Sequence, residues 1–396
     1  MYETADVVII GAGVNGASVA YHLALAGIKR VVVLEKQVVA AGATGLSSGL
    51  VRMHYTNEIE ARLALSSYAY FRHWSDIVGG DCGFVETGFI RTVASHNTEK
   101  LRANVAMLQS IGVETQLITA GELRELTPGI MTDDLLYAAY EPHSGYADPT
   151  ATTFSFLHAA RSQGVMLRQG VDVLGFILNG ERVTGVRTSV GNIEAGIVVC
   201  AAGGWTMKML EALGLRFPVW NTRHQVAMLQ RPPEQQSHMT YIDGVLDAYY
   251  RPDAPGLTLA SGGPMESIAD PDNFNHNTDG SFIEAIAQKI SSRIPAMEEA
   301  TFVRSWAGSF AVSADLHPLI GSLPGYEQLY AIFGCNGTGF KIAPAVGKAV
   351  TEHILGVSEP TIPITSLRPA RYLEHAAIVD PYSYSDRPQE HTQPLT

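Results

Sequence analysis

Residues 6–35 constrain this chain more than any other stretch, because 30 residues hold a strand, a glycine turn, a helix and a second strand. Asp6 to Ile10 (DVVII) and Arg30 to Leu34 (RVVVL) are short apolar runs of the kind that form strands buried on both faces. Between them lie Gly11-Ala12-Gly13-Val14-Asn15-Gly16 and a helical stretch, Ala17 to Ala26, closed by Gly27. Glycines in this pattern allow a tight turn, close backbone approach to a pyrophosphate, and helix–strand packing. The helix N-terminus offers free N–H groups and the positive end of its dipole to phosphates. Glu35 stands 19 residues beyond Gly16, placed to accept hydrogen bonds from a ribose, with Lys36 next to it. The spacing predicts an α/β fold with a Rossmann-type dinucleotide-binding unit.

Composition narrows the partners. Lys and Arg number 27 against 39 Asp and Glu, a formal net charge of −12 over 396 residues. Nucleic acid and anionic membrane surfaces both select basic proteins, so neither is expected as a partner. Cys82, Cys200 and Cys335 are too few and scattered for a disulfide framework or a structural zinc site, and no histidines have ligand spacing. No metal is expected. The apolar runs, such as 196–204, fall short of a membrane span, and no basic leader precedes the first strand, so the expected setting is cytoplasmic.

Further along, Asp148-Pro149 is an N-cap and first-turn pair ahead of a helix reaching Gln163. Hairpin turns are expected at Asn179-Gly180 and Gly191-Asn192, then a buried strand, Val198 to Ala202, tipped by Gly203-Gly204. Residues 218–263 alternate in polarity, as an antiparallel sheet would, and 282–294 reads as a helix. Leu329 to Phe333 is a last strand, followed by a turn containing Gly334, Gly337 and Gly339 and a helix through Ile354, with Pro344 expected in its first turn. The proline-rich residues beyond Val357 are expected to pack on the surface or fray. Two strand–glycine turn–helix units near opposite ends of the chain suit an extended dinucleotide such as FAD better than NAD.

Four motifs in order resemble the D-amino-acid-oxidase family of flavoproteins, most closely its sarcosine-oxidase and glycine-oxidase-like members, including the β subunit of sarcosine oxidase. They are VVIIGAGVNGASVAYHLA with VVVLEK, ATGLSSGLVRMHY, VVCAAGGWT, and HPLIG with GCNGTGFKIAPAVG. The resemblance implies a glutathione-reductase-like FAD-binding domain (1–80, 145–215 and 325–370) and an inserted antiparallel-sheet substrate domain (81–144 and 216–324) that roofs the flavin. Residues 371–396 are left as a tail. FAD is implied to contact Gly11, Gly13, Val14, Asn15, Gly16, Glu35, Lys36, Ser47, Ser48, Val173, Gly203, Gly337, Gly339, Phe340 and Lys341. Arg52 and Lys341 are implied to bind a substrate carboxylate, with Tyr249 and His54 at the pocket. The bland alternatives are an ion-pair role for Arg52, a surface position for Lys341 and an ordinary sheet aromatic at Tyr249.

The implied reaction is hydride transfer from the C–N bond of a small amino acid or N-alkyl amino acid to flavin, giving an imine that water hydrolyses. No cysteine lies in 306–310 and no histidine in 41–48, the places where covalent relatives attach flavin, so FAD is expected to be non-covalent. Thr258 aligns with a lysine that promotes oxygen reactivity in monomeric sarcosine oxidases, which leaves oxygen or another electron acceptor open. Rival readings are a flavoprotein subunit of a hetero-oligomeric amino acid, proline or opine-type dehydrogenase, a 2-hydroxy-acid dehydrogenase, and a tRNA-modifying flavoenzyme, the last opposed by the acidic charge.

Overall fold

The computed structural model describes residues 3–384 apart from Gln236 and Ala254. Its first sheet has a parallel core, in the order Leu329–Phe333, Gly191–Cys200, Glu3–Ile10, Val31–Glu35, Met166–Gln169. The inner strands carry Val, Ile and Leu on both faces because long helices cover one side and a hairpin and the short helix Thr206–Glu211 the other. The helices Val14–Leu25 and Gly339–Ile354 cross almost backbone to backbone: a Cβ on Gly347 would lie 2.1 Å from Ser18 Oγ. The turn helices from opposite ends of the sequence are thereby fixed side by side. Asp148 caps the helix Pro149–Ser162 by accepting from the N–H groups of Thr150 and Ala151.

The second sheet is mixed. Thr301–Ser313 flanks Val219–Gln230, which pairs on through Leu257–Gly262, Ala248–Asp253 and Thr240–Asp243 to Phe89–Thr92, Tyr137–Glu141 and Gln116–Thr119. Thr240–Asp243 runs parallel to Phe89–Thr92, a departure from the antiparallel expectation. Its register sets Val226, Ser261, Tyr249, Ile242 and Arg91 in one row across five strands, hence on one face.

Several local expectations are corrected. Leu319–Ser322, assigned by position to the substrate domain, pairs with Leu329–Phe333 in the first sheet. The second hairpin turns at Ser189-Val190, and Gly191 already faces Thr188 in the ladder. Pro344 lies inside the helix Gly339–Ile354 rather than in its first turn. The helix tolerates it because neighbouring groups find outside partners: Ala345 N–H donates to Ser67 Oγ at 3.0 Å, and Ser18 Oγ to the Pro344 carbonyl.

The segment beyond Val357 is the largest correction. Arg371 is fully buried and grips Asp315 with two hydrogen bonds, 2.8 and 2.9 Å, while Asp315 also accepts from Tyr372 OH and Ile378 N–H. Sequence position gave no hint of these partners, 56 residues apart. The rest of the tail, 385–396, lies outside the described residues.

Candidate active site

A cavity of about 640 Å³ runs from Glu35 and Val173, across the glycine turn, to Arg52 and Lys341, with His224, Tyr249 and Phe310 of the second sheet on its wall. It follows the carboxyl ends of the parallel strands, where open α/β sheets bind ligands.

At the first turn Gly11 has φ +102°, and a Cβ there would sit 2.5 Å from the Ala201 carbonyl oxygen. Gly16 is off the wall; a Cβ on it would strike the Gly11 oxygen at 2.0 Å, so it serves helix packing. Glu35 accepts from Ala12 N–H at 2.9 Å, tying the strand-end acid to the turn. Gly13 gives the helix no side-chain cap, Thr44 Oγ1 takes the Val14 N–H at 3.1 Å, and the buried Asn15 Oδ1 on the wall has no partner. A backbone cradle at a helix start that its own N-cap residue leaves open fits the phosphate region of a dinucleotide. Lys36 also lines the cavity, but its Nζ lies 2.5 Å from Asp272 and 4.0 Å over the Trp205 ring. Ser47, Ser48, Val173 and Gly203 are on the wall; Ser47 Oγ accepts from Gly49 N–H, and Ser48 O from Arg251.

At the other end, Gly337 (φ +70°), Gly339, Phe340 and Lys341 border the cavity; Thr338 gives the last helix no side-chain cap, and its hydroxyl donates to Cys335 O. Phe340 also packs into the core against Phe71. The start of this helix therefore directs its dipole at the cavity. Cys335 is on the wall too, but burial pushes its thiol up to about 12, which disfavours the thiolate that covalent attachment would need.

Arg52 and Lys341 converge there. Arg52 donates to the His54 carbonyl, and its guanidinium lies against aromatic faces, 4.8 Å from the Tyr55 centroid and 5.8 Å from that of Phe89. Its buried Nε has no partner. Lys341 is 6% exposed, and among the described residues no carboxylate pairs with it. Burial, and then the Arg52 charge, hold its ammonium well below the usual lysine range, against a smaller opposing pull from Glu60. Among the described residues neither group forms an ion pair with a carboxylate, so an anionic ligand would offset the cost of holding two basic groups together, one of them buried.

Tyr249 shares the wall. Its hydroxyl is 2.9 Å from His224 Nε2, which also meets Ser261 Oγ at 2.8 Å. Burial pushes His224 down to about 4 and Tyr249 up, so at neutral pH the pair is uncharged and the phenol keeps its proton.

His54 does not reach the wall. It is neutral, driven well below its ordinary value by burial and then by Arg91 and Arg52, and its Nε2 is 2.9 Å from Tyr384 OH. Thr258 is also elsewhere: its hydroxyl bonds His238 Nε2 at 2.8 Å, away from the cavity. Sequence reasoning missed Thr44 and Glu141. Glu141 Oε2 accepts from Met53 N–H at 2.9 Å and Ser144 Oγ at 2.6 Å, bracing the strand end that carries Arg52. Thr44 stands within ATGLSSGLVRMHY, but only the fold shows its hydroxyl reaching the Val14 N–H, and Glu141 stands in none of the four motifs.

The model of the family described as FAD dependent oxidoreductase matches residues 6–353. The chain belongs to that family. Among curated proteins it is 27% identical over 390 residues to mitochondrial dimethylglycine dehydrogenase of Rattus norvegicus, covering 93% of this chain and 45% of that one. The chain thus spans less than half the length of the dimethylglycine dehydrogenases it matches. It is 27% identical to sarcosine oxidase subunit beta of Arthrobacter sp, covering 88% of this chain and 86% of that one. The structure of L-proline dehydrogenase from P. horikoshii superposes with a TM-score of 0.87 at 26% identity, covering 95% and 99%. The flavoenzyme fold is therefore established, and the Rossmann-type sheet with its roofing sheet follows from it. Among the described residues, no cluster of three or more His, Cys, Asp or Glu could hold a metal, and no helix is long and apolar enough to cross a membrane.

Proposed function

We propose that this enzyme oxidises the C–N bond of a small amino acid or N-alkyl amino acid, held by its carboxylate between Arg52 and Lys341. The observation that carries this reading is a pair of basic side chains that, among the described residues, form no ion pair with a carboxylate and line one end of the cleft. FAD, bound non-covalently along residues Gly11 to Asn15, Glu35, Val173 and Gly337 to Lys341, supplies the hydride acceptor. The substrate carboxylate removes the cost of the two like charges and fixes the orientation of the C–H bond. Tyr249, neutral and held by His224, can donate its phenol hydrogen bond to the substrate. Neither histidine near the pocket is charged, so a neutral amine substrate meets no competing cation from them. Lone-pair donation from that amine expels the hydride, and the resulting imine is hydrolysed.

The acceptor that reoxidises the enzyme is oxygen or another oxidant, and among the described residues no lysine of the roof sheet lines the cavity. The match across most of sarcosine oxidase subunit beta favours a second reading, a subunit that turns over only with a partner. Purifying the chain alone and testing turnover with an artificial dye separates the two. The carboxylate anchor is tested with Arg52→Ala and Lys341→Ala, which should raise KM by orders of magnitude while FAD stays bound. Unchanged kinetics in both would overturn it.

A further inference from the structure

The stretch after Arg52 is clamped along its length by residues 380–384. Asp380 accepts from Thr56 Oγ1 at 2.5 Å and Asn57 Nδ2 at 3.2 Å, and it lies 3.4 Å from His317 Nε2. His317 is held on its other side by Glu60 at 2.5 Å, so carboxylates on two segments share one buried imidazole. Two residues on, the Tyr382 carbonyl accepts from Asn104 Nδ2 at 3.0 Å. Two further, Tyr384 OH meets His54 Nε2 at 2.9 Å, and its ring stacks on the imidazole at 5.9 Å and 16°. The ring also meets Arg91, whose guanidinium carbon is 5.0 Å from its centroid, and packs on the cluster of Val93, Leu101, Val105 and Ala139.

The order of contacts matters. Residues 380 and 384 meet residues 57, 56 and 54, and the His54 carbonyl is the acceptor for Arg52 Nη1. Arg52 itself leans on aromatic faces and the His54 carbonyl, which orient a guanidinium without neutralising it. Its direction therefore follows the path of residues 52–57, which Glu141 braces at the Met53 N–H and the strap holds from His54 to Asn57.

We propose that the segment 380–384 is part of the substrate-binding machinery and that Tyr384 is a positioning residue, acting through His54 to hold Arg52 toward a carboxylate. This rests on the carboxylate-anchor reading and adds the chain segment that makes the anchor rigid. A loose arginine must be ordered by each substrate molecule, whereas a held one has already lost that freedom. The strap should therefore affect carboxylate affinity and leave the chemical step at saturation alone.

The test uses the full-length FAD-loaded protein, titrating acetate against the flavin absorbance spectrum under anaerobic conditions. Tyr384→Phe removes one hydrogen bond and should weaken acetate roughly two- to tenfold. Tyr384→Ala removes the ring as well and should weaken it further, and Asp380→Asn, at the other anchor, should weaken it too. FAD content and the flavin reduction rate at saturating substrate should stay within about twofold of wild type, as expected for loss of preorganisation alone. Acetate affinity within twofold of wild type in both Tyr384→Ala and Asp380→Asn would overturn the proposal. So would parallel losses of FAD and acetate binding, which mark a merely structural role. If acetate binding is indifferent to Arg52→Ala, it is the anchor reading that fails.

Discussion

Replacing Lys341 by methionine should make the protein more stable and a worse enzyme at once. The side chain is 6% exposed, has no carboxylate partner among the described residues, and shares its compartment with Arg52. Keeping an ion there costs several kcal/mol relative to water, whereas methionine fills a similar volume with no charge to desolvate. The folded-state pKa of Lys341 lies well below 10.5, with burial the main cause and Arg52 the second. In the interval between the folded value and 10.5 the unfolded chain binds more protons, so stability rises with pH across it. The stabilisation by Lys341→Met should therefore be greatest below that interval and fade as pH approaches the unfolded lysine value. For the substrate carboxylate the sign is opposite. Removing one partner of a buried ion pair costs about 3–5 kcal/mol, which is roughly two to nearly four powers of ten in dissociation constant. Thermal unfolding of the FAD-loaded protein across pH, paired with acetate titration, reads both quantities. A variant that unfolds at a lower temperature, or that binds acetate as wild type does, would refute the reasoning.

Other outcomes follow from particular contacts. Glu35→Ala should weaken FAD retention on desalting, because the acid both braces the Ala12 N–H and faces the cavity; full retention would count against the nucleotide assignment. Gly16→Ala should abolish FAD binding or folding, since its Cβ would meet the Gly11 oxygen at 2.0 Å, and a normally loaded variant would contradict the turn geometry. His317 is pushed up to about 10: burial opposes the shift, and hydrogen bonds and charge from Asp380 and Glu60 outweigh it. A raised pKa gives stability that is complete below about pH 6.5 and lost as pH rises through about 10. Denaturant titrations should show that decline, and His317→Gln should flatten it. Affinity for acetate should also fall as alkali deprotonates Lys341, at a pH below 10.5, and Lys341→Met should remove that dependence.

The sequence made local structure legible wherever a short-range physical rule was sufficient. Asp148-Pro149 could only start a helix, Gly180 takes the positive φ (+63°) its hairpin needs, and 329–333 is the strand its apolar run implied. The resemblance indicated which distant residues should meet, and Arg52, Tyr249 and Lys341 do line one cavity. What stayed hidden depends on contacts that carry no local pattern. Lys36 lines the cavity, but nothing local signals that Asp272, 236 residues away, holds its ammonium. His54 reads as a pocket residue from its place beside Arg52, yet the side chain turns back to Tyr384 and only its carbonyl reaches the arginine. Asp315 and Arg371 look like ordinary loop charges in a polar stretch; their bidentate pairing is what buries the segment expected to fray.

The central claim is that a carboxylate-bearing amine is the electron donor. Mixing the FAD-loaded protein anaerobically with amino acids, N-methyl amino acids and 2-hydroxy acids tests it without any need to know the acceptor. Bleaching of the flavin by at least one amino or N-alkyl amino acid, lost in Arg52→Ala and Lys341→Ala, is the predicted result. Bleaching by hydroxy acids alone, or by amines regardless of whether they carry a carboxylate, would contradict the account.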